Sequence, residues 1–160
     1  MNWSISLFLL SVLIVFHAYF VYPLSLLVVK LLRNRGNQRQ QLDVPVTLII
    51  TAYNEEKRIK EKLENTLKLN YPEELLQILV ASDGSIDATN DIVRLYENQG
   101  IELLEILDRG GKENAQKEAV KYAKGEIFVF SDAATILEPH GLMAIVSNFA
   151  DPTVGCASSE

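Results

Sequence analysis

Cysteine is nearly absent. Cys156 is the only one in 160 residues, so no intrachain disulfide can staple the fold and no multi-cysteine metal site can form. The two histidines, His17 and His140, are too few and too far apart to suggest a zinc centre. Basic charge is scarce in the part of the chain that can fold into a globule. Lys30, Arg33, Arg35 and Arg39 against Asp43 give residues 1–45 a charge of +3, which leaves −9 on the remainder of a chain whose net charge is −6. Such a surface lacks the basic face that neutralises phosphates, so nucleic acid is excluded as a partner. No Gly-x-Gly-x-x-Gly follows the first strand-like run, which argues against a dinucleotide-binding fold.

From Ile5 to Val29 the missing feature is charge itself. The run "ISLFLLSVLIVFHAYFVYPLSLLVV" contains no formally charged side chain. As a helix it spans about 37 Å, enough to cross a hydrocarbon core of about 30 Å with some tilt. Trp3, Tyr19 and Tyr22 suit the two interfaces, and Pro23 predicts a kink late in the span. A cleaved signal peptide would need a positive n-region and a shorter apolar run. The basic stretch "KLLRNRGNQR" follows the span, so the N-terminus is expected outside and the rest of the chain in the cytoplasm. The reading is a transmembrane anchor over 1–32, a basic polar linker over 33–45 and one domain over 46–160 in a cell-membrane protein. His17 and His140 receive no role, and Cys156 reads as a small core residue.

Beyond the linker a strand–helix pattern repeats. Strands are expected at 46–50 ("VTLII"), 75–82 ("LLQILVAS"), 101–107 ("IELLEIL") and 126–132 ("EIFVFSD"), with "TVGCAS" (153–158) a candidate fifth. The helix between the first two, "EEKRIKEKLENTLKL", turns Ile59, Leu63 and Leu67 to one side, and its Glu and Lys residues read as a solvated face. The next helix starts at Asp87 as N-cap, directs Ile92 and Leu95 inward and stops at Gly100. A third runs from about Gly111 to Lys124 with Ala115 and Ala119 inward and Gly125 as its stop. A fourth starts at Pro139 and carries Leu142, Ile145 and Phe149 on one face. Alternating strands and helices imply an α/β fold, a mostly parallel sheet with helices on both faces. Ligands of such sheets bind beyond the carboxyl ends of the strands.

Those ends deliver "TAYNE", "SDGS", "DRGGK" and "SDAAT" to one edge. Asp83 and Asp132 follow apolar runs directly, where a carboxylate can accept hydrogen bonds from a ligand or hold a metal; each can equally cap the next turn. "DRGGKENA" combines two glycines, a helix start, Arg109 and Lys112, which suits an anionic phosphate. It is not a Walker A loop, because Ile106 stands where the first glycine belongs and Glu113 where the hydroxyl belongs.

In this order and spacing, "VTLIITAYNEE", "ILVASDGSIDAT", "DRGGKENAQKEAV" and "FVFSDAATILEP", trailed by "FADPTVGCAS", resemble the donor-binding half of family 2 glycosyltransferases. The blocks cover about residues 46–158. The resemblance implies a GT-A (nucleotide-diphospho-sugar transferase) fold and a nucleotide-diphosphate sugar donor, most often a UDP-sugar. It also implies inverting transfer to a glycan or lipid acceptor, as in membrane-bound polysaccharide synthases. Carried over, Thr51, Ala52, Tyr53 and Glu55 line base and ribose, Asp83 accepts the uracil imide N–H, and Arg109 and Lys112 lie near the diphosphate. Asp132 becomes the first acid of a DxD-like motif and the remaining candidate ligand for Mg²⁺ or Mn²⁺. Ala134 stands where the family places the second acid, and a methyl group cannot ligate a cation. The family's catalytic base comes later in sequence than Glu160, so these residues are expected to be the N-terminal portion of a longer enzyme. The alternative is a truncated, non-catalytic relative acting as a scaffold or interaction subunit.

Overall fold

The computed structural model describes residues 2–32 and 40–158. The chain divides into two units, Met1–Asn37 and Gln38–Glu160. Much of the expected linker, residues 33–39, and Glu160 at the chain end lie outside the described residues.

The first unit is a continuous helix, Trp3–Leu32, of 30 residues. It is apolar on every side, and none of its residues is buried against protein, so length and composition suffice for it to cross a membrane. Within it Ser11 Oγ donates to Phe8 O and Ser25 Oγ to Tyr22 O, both at 2.7 Å. Such bonds satisfy these two hydroxyls within the helix itself. The irregularity expected at Pro23 appears one turn earlier. Between α1 (Trp3–Phe16) and α2 (Tyr22–Leu32), residues His17–Val21 form a π turn in which the Tyr22 amide reaches back to His17 O. A proline ring collides with the carbonyl four residues before it and offers no N–H, and a widened turn accommodates both demands.

In the second unit four parallel strands, β1 (Val46–Ala52), β2 (Leu76–Asp83), β3 (Ile101–Ile106) and β4 (Ile127–Asp132), lie in the order β3-β2-β1-β4. The chain therefore builds outward from β1 to β3, then returns to the other side of β1 for β4. The switch in direction falls between β1 and β4, where Thr51 pairs in register with Asp132. Helices α3 (Ile59–Thr66), α4 (Thr89–Arg94), α5 (Lys112–Val120) and α6 (Gly141–Val146) fill the connections.

Alternation along β1 splits the core in two. Val46, Leu48, Ile50 and Ala52 join Ile59 and Leu63 of α3, Val93 of α4 and Leu142 and Val146 of α6. On the opposite face Ile49 packs with Leu79, Ala81 and the two small residues of α5, Ala115 and Ala119. Each large aliphatic side chain so buried contributes about 1.5–3 kcal/mol relative to exposure. Leu42 and Val44, read from sequence as linker, also pack against the first cluster, and Tyr71 Oη donates to Val44 O at 2.7 Å.

Several details differ from the sequence reading. The first helix of the domain is only Ile59–Thr66, and Glu55 and Glu56 before it are drawn into loop contacts described below. In α4 Val93 is fully buried while Leu95 is 74% exposed; the helix is a turn and a half long and points a different side inward. Helix α6 starts at Gly141, two residues later than expected. Gly125 has an ordinary backbone conformation, and its role is close approach: a Cβ there would lie 2.4 Å from Thr47 N. Residues 154–158 form no strand, and Cys156 is exposed. They face β4 across an apolar groove of about 600 Å³ lined also by Phe128, Phe130, Ile145 and Phe149. A strand needs a ladder partner, and on this side of the sheet β4 pairs with nothing further among the described residues.

Candidate functional site

The C-terminal ends of β1 and β2 are laced together. Asn54, in the left-handed conformation at φ 52°, accepts the Ile86 amide on its Oδ1 at 2.9 Å, and its own amide donates to Ser85 Oγ at 3.1 Å. The Glu55 amide donates to Thr89 Oγ1 at 2.8 Å and the Glu56 amide to Asp87 Oδ2 at 3.2 Å. Burial pushes the Asp87 carboxyl up, but hydrogen bonds from the Thr89 hydroxyl and amide and from the Glu56 amide outweigh it, and the group titrates below the usual range. These contacts tie Glu55 and Glu56 to the β2 turn ahead of α3.

Asp83, only 4% exposed, uses both carboxylate oxygens on the loop after β3. Oδ1 accepts the Gly110 amide at 2.8 Å and Oδ2 the Gly111 amide at 2.7 Å. Glycine is required nearby. Gly84 sits at φ +66° with Arg109 N 3.0 Å from where its Cβ would be, and a Cβ on Gly110 would meet Asn114 Nδ2 at 2.3 Å. Gly111, at φ +86°, turns the chain into α5. The tether thus fixes the start of α5, whose unpaired N-terminal amides favour negative charge. Asp83 retains a spare lone pair on each oxygen for a ligand donor.

Arg109 lies over the Tyr53 ring, 3.8 Å from its centroid, a cation–π contact that holds both against the cleft. At β4 the Lys112 ammonium meets Asp132 Oδ1 at 2.7 Å, with both side chains about half exposed. Thr51 Oγ1 stands 3.4 Å from the same oxygen. Thr51, Ala52, Tyr53, Glu55, Asp83, Arg109, Lys112 and Asp132, with Gly111, Ala115, Ala133 and Ala134, line one cleft of about 390 Å³. All eight residues singled out from sequence are therefore brought together at the switch point.

A metal has little to hold it. Ala134 faces the cleft with no ligand atom, and among the described residues no three His, Cys, Asp or Glu side chains gather as a metal cluster. Asp132 supplies one carboxylate, already shared with Lys112. That fits a cation whose shell is completed by phosphate oxygens and water, and no other.

One buried residue here was missed from sequence. Lys62 of α3 is fully buried; its ammonium donates to Ser131 Oγ at 2.7 Å and to Thr135 O at 2.6 Å. Burial lowers its pKa to about 8, with Asp132 pulling it partly back up. Its place was legible, since 59, 62, 63 and 66 share one helical stripe; its charge concealed it.

An open parallel sheet with its cleft at the switch point is an α/β domain built to receive a ligand beyond its strand ends. The profile of Glycosyl transferase family 2 matches residues 47–159, and the chain belongs to that family. It is 30% identical over 115 residues to the poly-beta-1,6-N-acetyl-D-glucosamine synthase of Staphylococcus aureus (strain COL), covering 71% of this chain and 27% of that protein. The synthase of the same name from Staphylococcus epidermidis is 27% identical over 124 residues, 76% of this chain and 29% of that one. Among solved structures, the mannosyltransferase PcManGT from Pyrobaculum calidifontis, in complex with GDP-Man and Mn²⁺, superposes with a TM-score of 0.75 at 32% identity, over 87% of this chain and 43% of that one. S. aureus TarS 1–349 in complex with UDP-GlcNAc gives 0.58 at 29% identity, over 61% and 29%. The fold is thus of the GT-A type, and the chain spans less than a third of the length of these curated relatives.

Proposed function

We propose that this chain is the donor-binding portion of a membrane-anchored glycosyltransferase. It takes a sugar from a nucleoside-diphosphate donor, a UDP-sugar, and passes it with inversion to a glycan or lipid acceptor in polysaccharide or glycoconjugate synthesis. The observation that carries this reading is the single cleft shared by Tyr53, Asp83, Arg109, Lys112 and Asp132. The Tyr53 ring, braced by Arg109, offers a face for the base, and Asp83 offers acceptor lone pairs to a base N–H. Lys112, Arg109 and the start of α5 offset the diphosphate charge, which grows as the sugar–phosphate bond breaks.

In transfer, an acceptor hydroxyl attacks the anomeric carbon in line with the departing diphosphate. The new C–O bond forms as the old one breaks, and the electron pair leaves on the phosphate oxygen. The hydroxyl proton goes to a carboxylate base on the acceptor side of the site. A divalent cation, Mg²⁺ or Mn²⁺, held by Asp132 and the diphosphate itself, would add Lewis-acid neutralisation of the leaving group. The helix Trp3–Leu32 serves as the anchor, with Lys30 and the basic residues after it on the cytoplasmic side. A poly-beta-1,6-N-acetyl-D-glucosamine synthase among the relatives and a neighbour in complex with UDP-GlcNAc support a UDP-sugar; the GDP-Man complex keeps GDP-sugars as the comparison ligand.

Calorimetric titration of the full chain in detergent with UDP, UDP-GlcNAc and GDP tests the reading. Saturable binding that is lost in Asp132→Ala supports it. A protein that binds none of the three, or binds them undiminished in that variant, is not a donor-binding transferase. Ala134 favours a second reading, a non-catalytic scaffold, which predicts that none of the three ligands binds.

A further inference from the structure

The segment that follows β4 carries Asp132 and Ala134 to the cleft, yet from Ala133 to His140 it forms no helix or strand. It is fastened from one side by α3. Lys62 donates to Ser131 Oγ at 2.7 Å and to Thr135 O at 2.6 Å. One turn on, Asn65 makes a two-point clamp: its Nδ2 donates to Leu137 O at 2.8 Å and its Oδ1 accepts the Leu137 amide at 2.9 Å. The loop closes on itself through Thr135 N to Asp132 O at 3.1 Å. Four bonds from two side chains at i and i+3 of a packed helix thus define where Asp132 stands.

We propose that Lys62, assisted by Asn65, is a positioning residue of the donor site: it pins the Ser131–Leu137 segment so that the Asp132 carboxylate meets the cleft in one geometry. The inference rests on the donor-binding reading above and adds residues that do not line the cleft. A purely structural tie would be better served by a neutral donor, because burying an ammonium away from any ion-pair partner is costly. Lys62 forms no salt bridge among the described residues, and its acceptors, Ser131 Oγ and Thr135 O, are neutral oxygens. Its charge acts on Asp132 through space instead, and the depressed pKa records the cost of keeping it there. Asp132 is thereby attracted from two sides, by Lys112 at the surface and by Lys62 beneath the loop. With Ala134 unable to share a cation, a fixed orientation of the one remaining acid carries more of the binding. This is the situation in which a supporting shell decides whether a site functions.

The test titrates UDP, in buffer containing Mn²⁺, into the full chain in detergent. Wild type is compared with Lys62→Met, Lys62→Arg, Asn65→Ala and, as a surface control on the same helix, Lys60→Met. Lys62→Met is expected to weaken UDP about tenfold and Asn65→Ala somewhat less. Lys62→Arg, which keeps charge and donors, recovers most of the affinity, and Lys60→Met matches wild type. Melting temperatures within a few degrees of wild type separate positioning from unfolding. If Lys62→Met does not fold, Ser131→Ala decides, since it removes one acceptor and leaves the ammonium: weaker UDP binding supports the inference and unchanged binding overturns it. Wild-type UDP affinity in a folded Lys62→Met protein overturns it outright. Failure of the wild type to bind UDP or GDP at all instead removes the donor-binding reading, and this inference with it.

Discussion

Two strands of this sheet end on the same dipeptide, and the two ends do different things. β2 finishes on Ser82-Asp83 and β4 on Ser131-Asp132. Asp83 is buried with both oxygens committed to the amides of Gly110 and Gly111, whereas Asp132 is half exposed and shares an oxygen with Lys112. The serines differ as well: Ser82 Oγ donates to Ser85 Oγ at 2.8 Å within its own turn, while Ser131 accepts from the buried Lys62. What separates the two is their surroundings. A glycine pair crosses from β3 to β2 and offers bare amides, and among the described residues no such loop reaches β4. A strand-end acid in such a sheet is placed by the strand, but its work is set by what arrives from the next connection.

Removing Asp83 has the largest expected effect, because it breaks the fold and the site together. Asp83→Ala leaves two loop amides without their carboxylate and frees the start of α5. Loss of charge-assisted hydrogen bonds and of their partners' satisfaction costs about 3 kcal/mol, which lowers the melting temperature on the order of 10 °C in a domain of this size. Thermal denaturation reads this directly, and UDP binding falls in the same variant. Asp132→Ala sharpens the contrast. Its ion pair with Lys112 is half exposed, so stability changes by less than about 1 kcal/mol, yet UDP affinity is expected to drop severalfold or more. A variant pair in which Asp132→Ala destabilised as much as Asp83→Ala would erase the distinction between tether and ligand contact.

The lysine beneath β4 extends the comparison to pH. Lys62 titrates near pH 8 in the folded protein, well below the unfolded lysine value of about 10.4. Below about pH 8 it is charged in both states, and the folded protein bears the full cost of burying the charge. Between the two values the unfolded chain binds more protons than the folded one, so rising pH stabilises the fold. Lys62→Met lacks this term. The difference in melting temperature between wild type and variant should therefore move in favour of wild type from pH 7.5 to pH 10, as followed by differential scanning fluorimetry. The other titrating groups are common to both proteins and cancel. A difference that stays flat across that range would mean that Lys62 is not held in the low-dielectric position described here.

Much of this arrangement was legible. Apolar runs that stop abruptly on polar residues marked the strand ends, and the small residues Ala115 and Ala119 marked the face of α5. What escaped was set by contacts distant in sequence. Leu95 lost its place to Val93 because α4 ends at Arg94 and turns Val93 inward, leaving Leu95 as its outward-facing C-cap. Lys62 was read as solvated because charge outweighed helical phase, and no local pattern announces that Ser131 and Thr135, about 70 positions away, will receive its ammonium. The αL conformation of Asn54 and its bonds to the β2 turn are likewise products of two strand ends meeting.

The smallest expected effect is also the one that asks most of the β4 end. Ala134 is exposed and lines the cleft beside Asp132, so an aspartate there has room and meets solvent, and the fold should tolerate Ala134→Asp with a melting temperature close to wild type. Placing a second carboxylate two residues from Asp132 raises the local negative charge. Without a cation that charge repels the diphosphate; with Mn²⁺ it offers a second protein ligand. The expected outcome is a crossing, in which UDP binds a few times more weakly than to wild type in EDTA and a few times more tightly in Mn²⁺. Titrations under the two conditions read it. If Ala134→Asp weakens UDP equally with and without Mn²⁺, the β4 end offsets the diphosphate charge with Lys112 and Arg109 alone, and Asp132 serves as their partner instead of as a metal ligand.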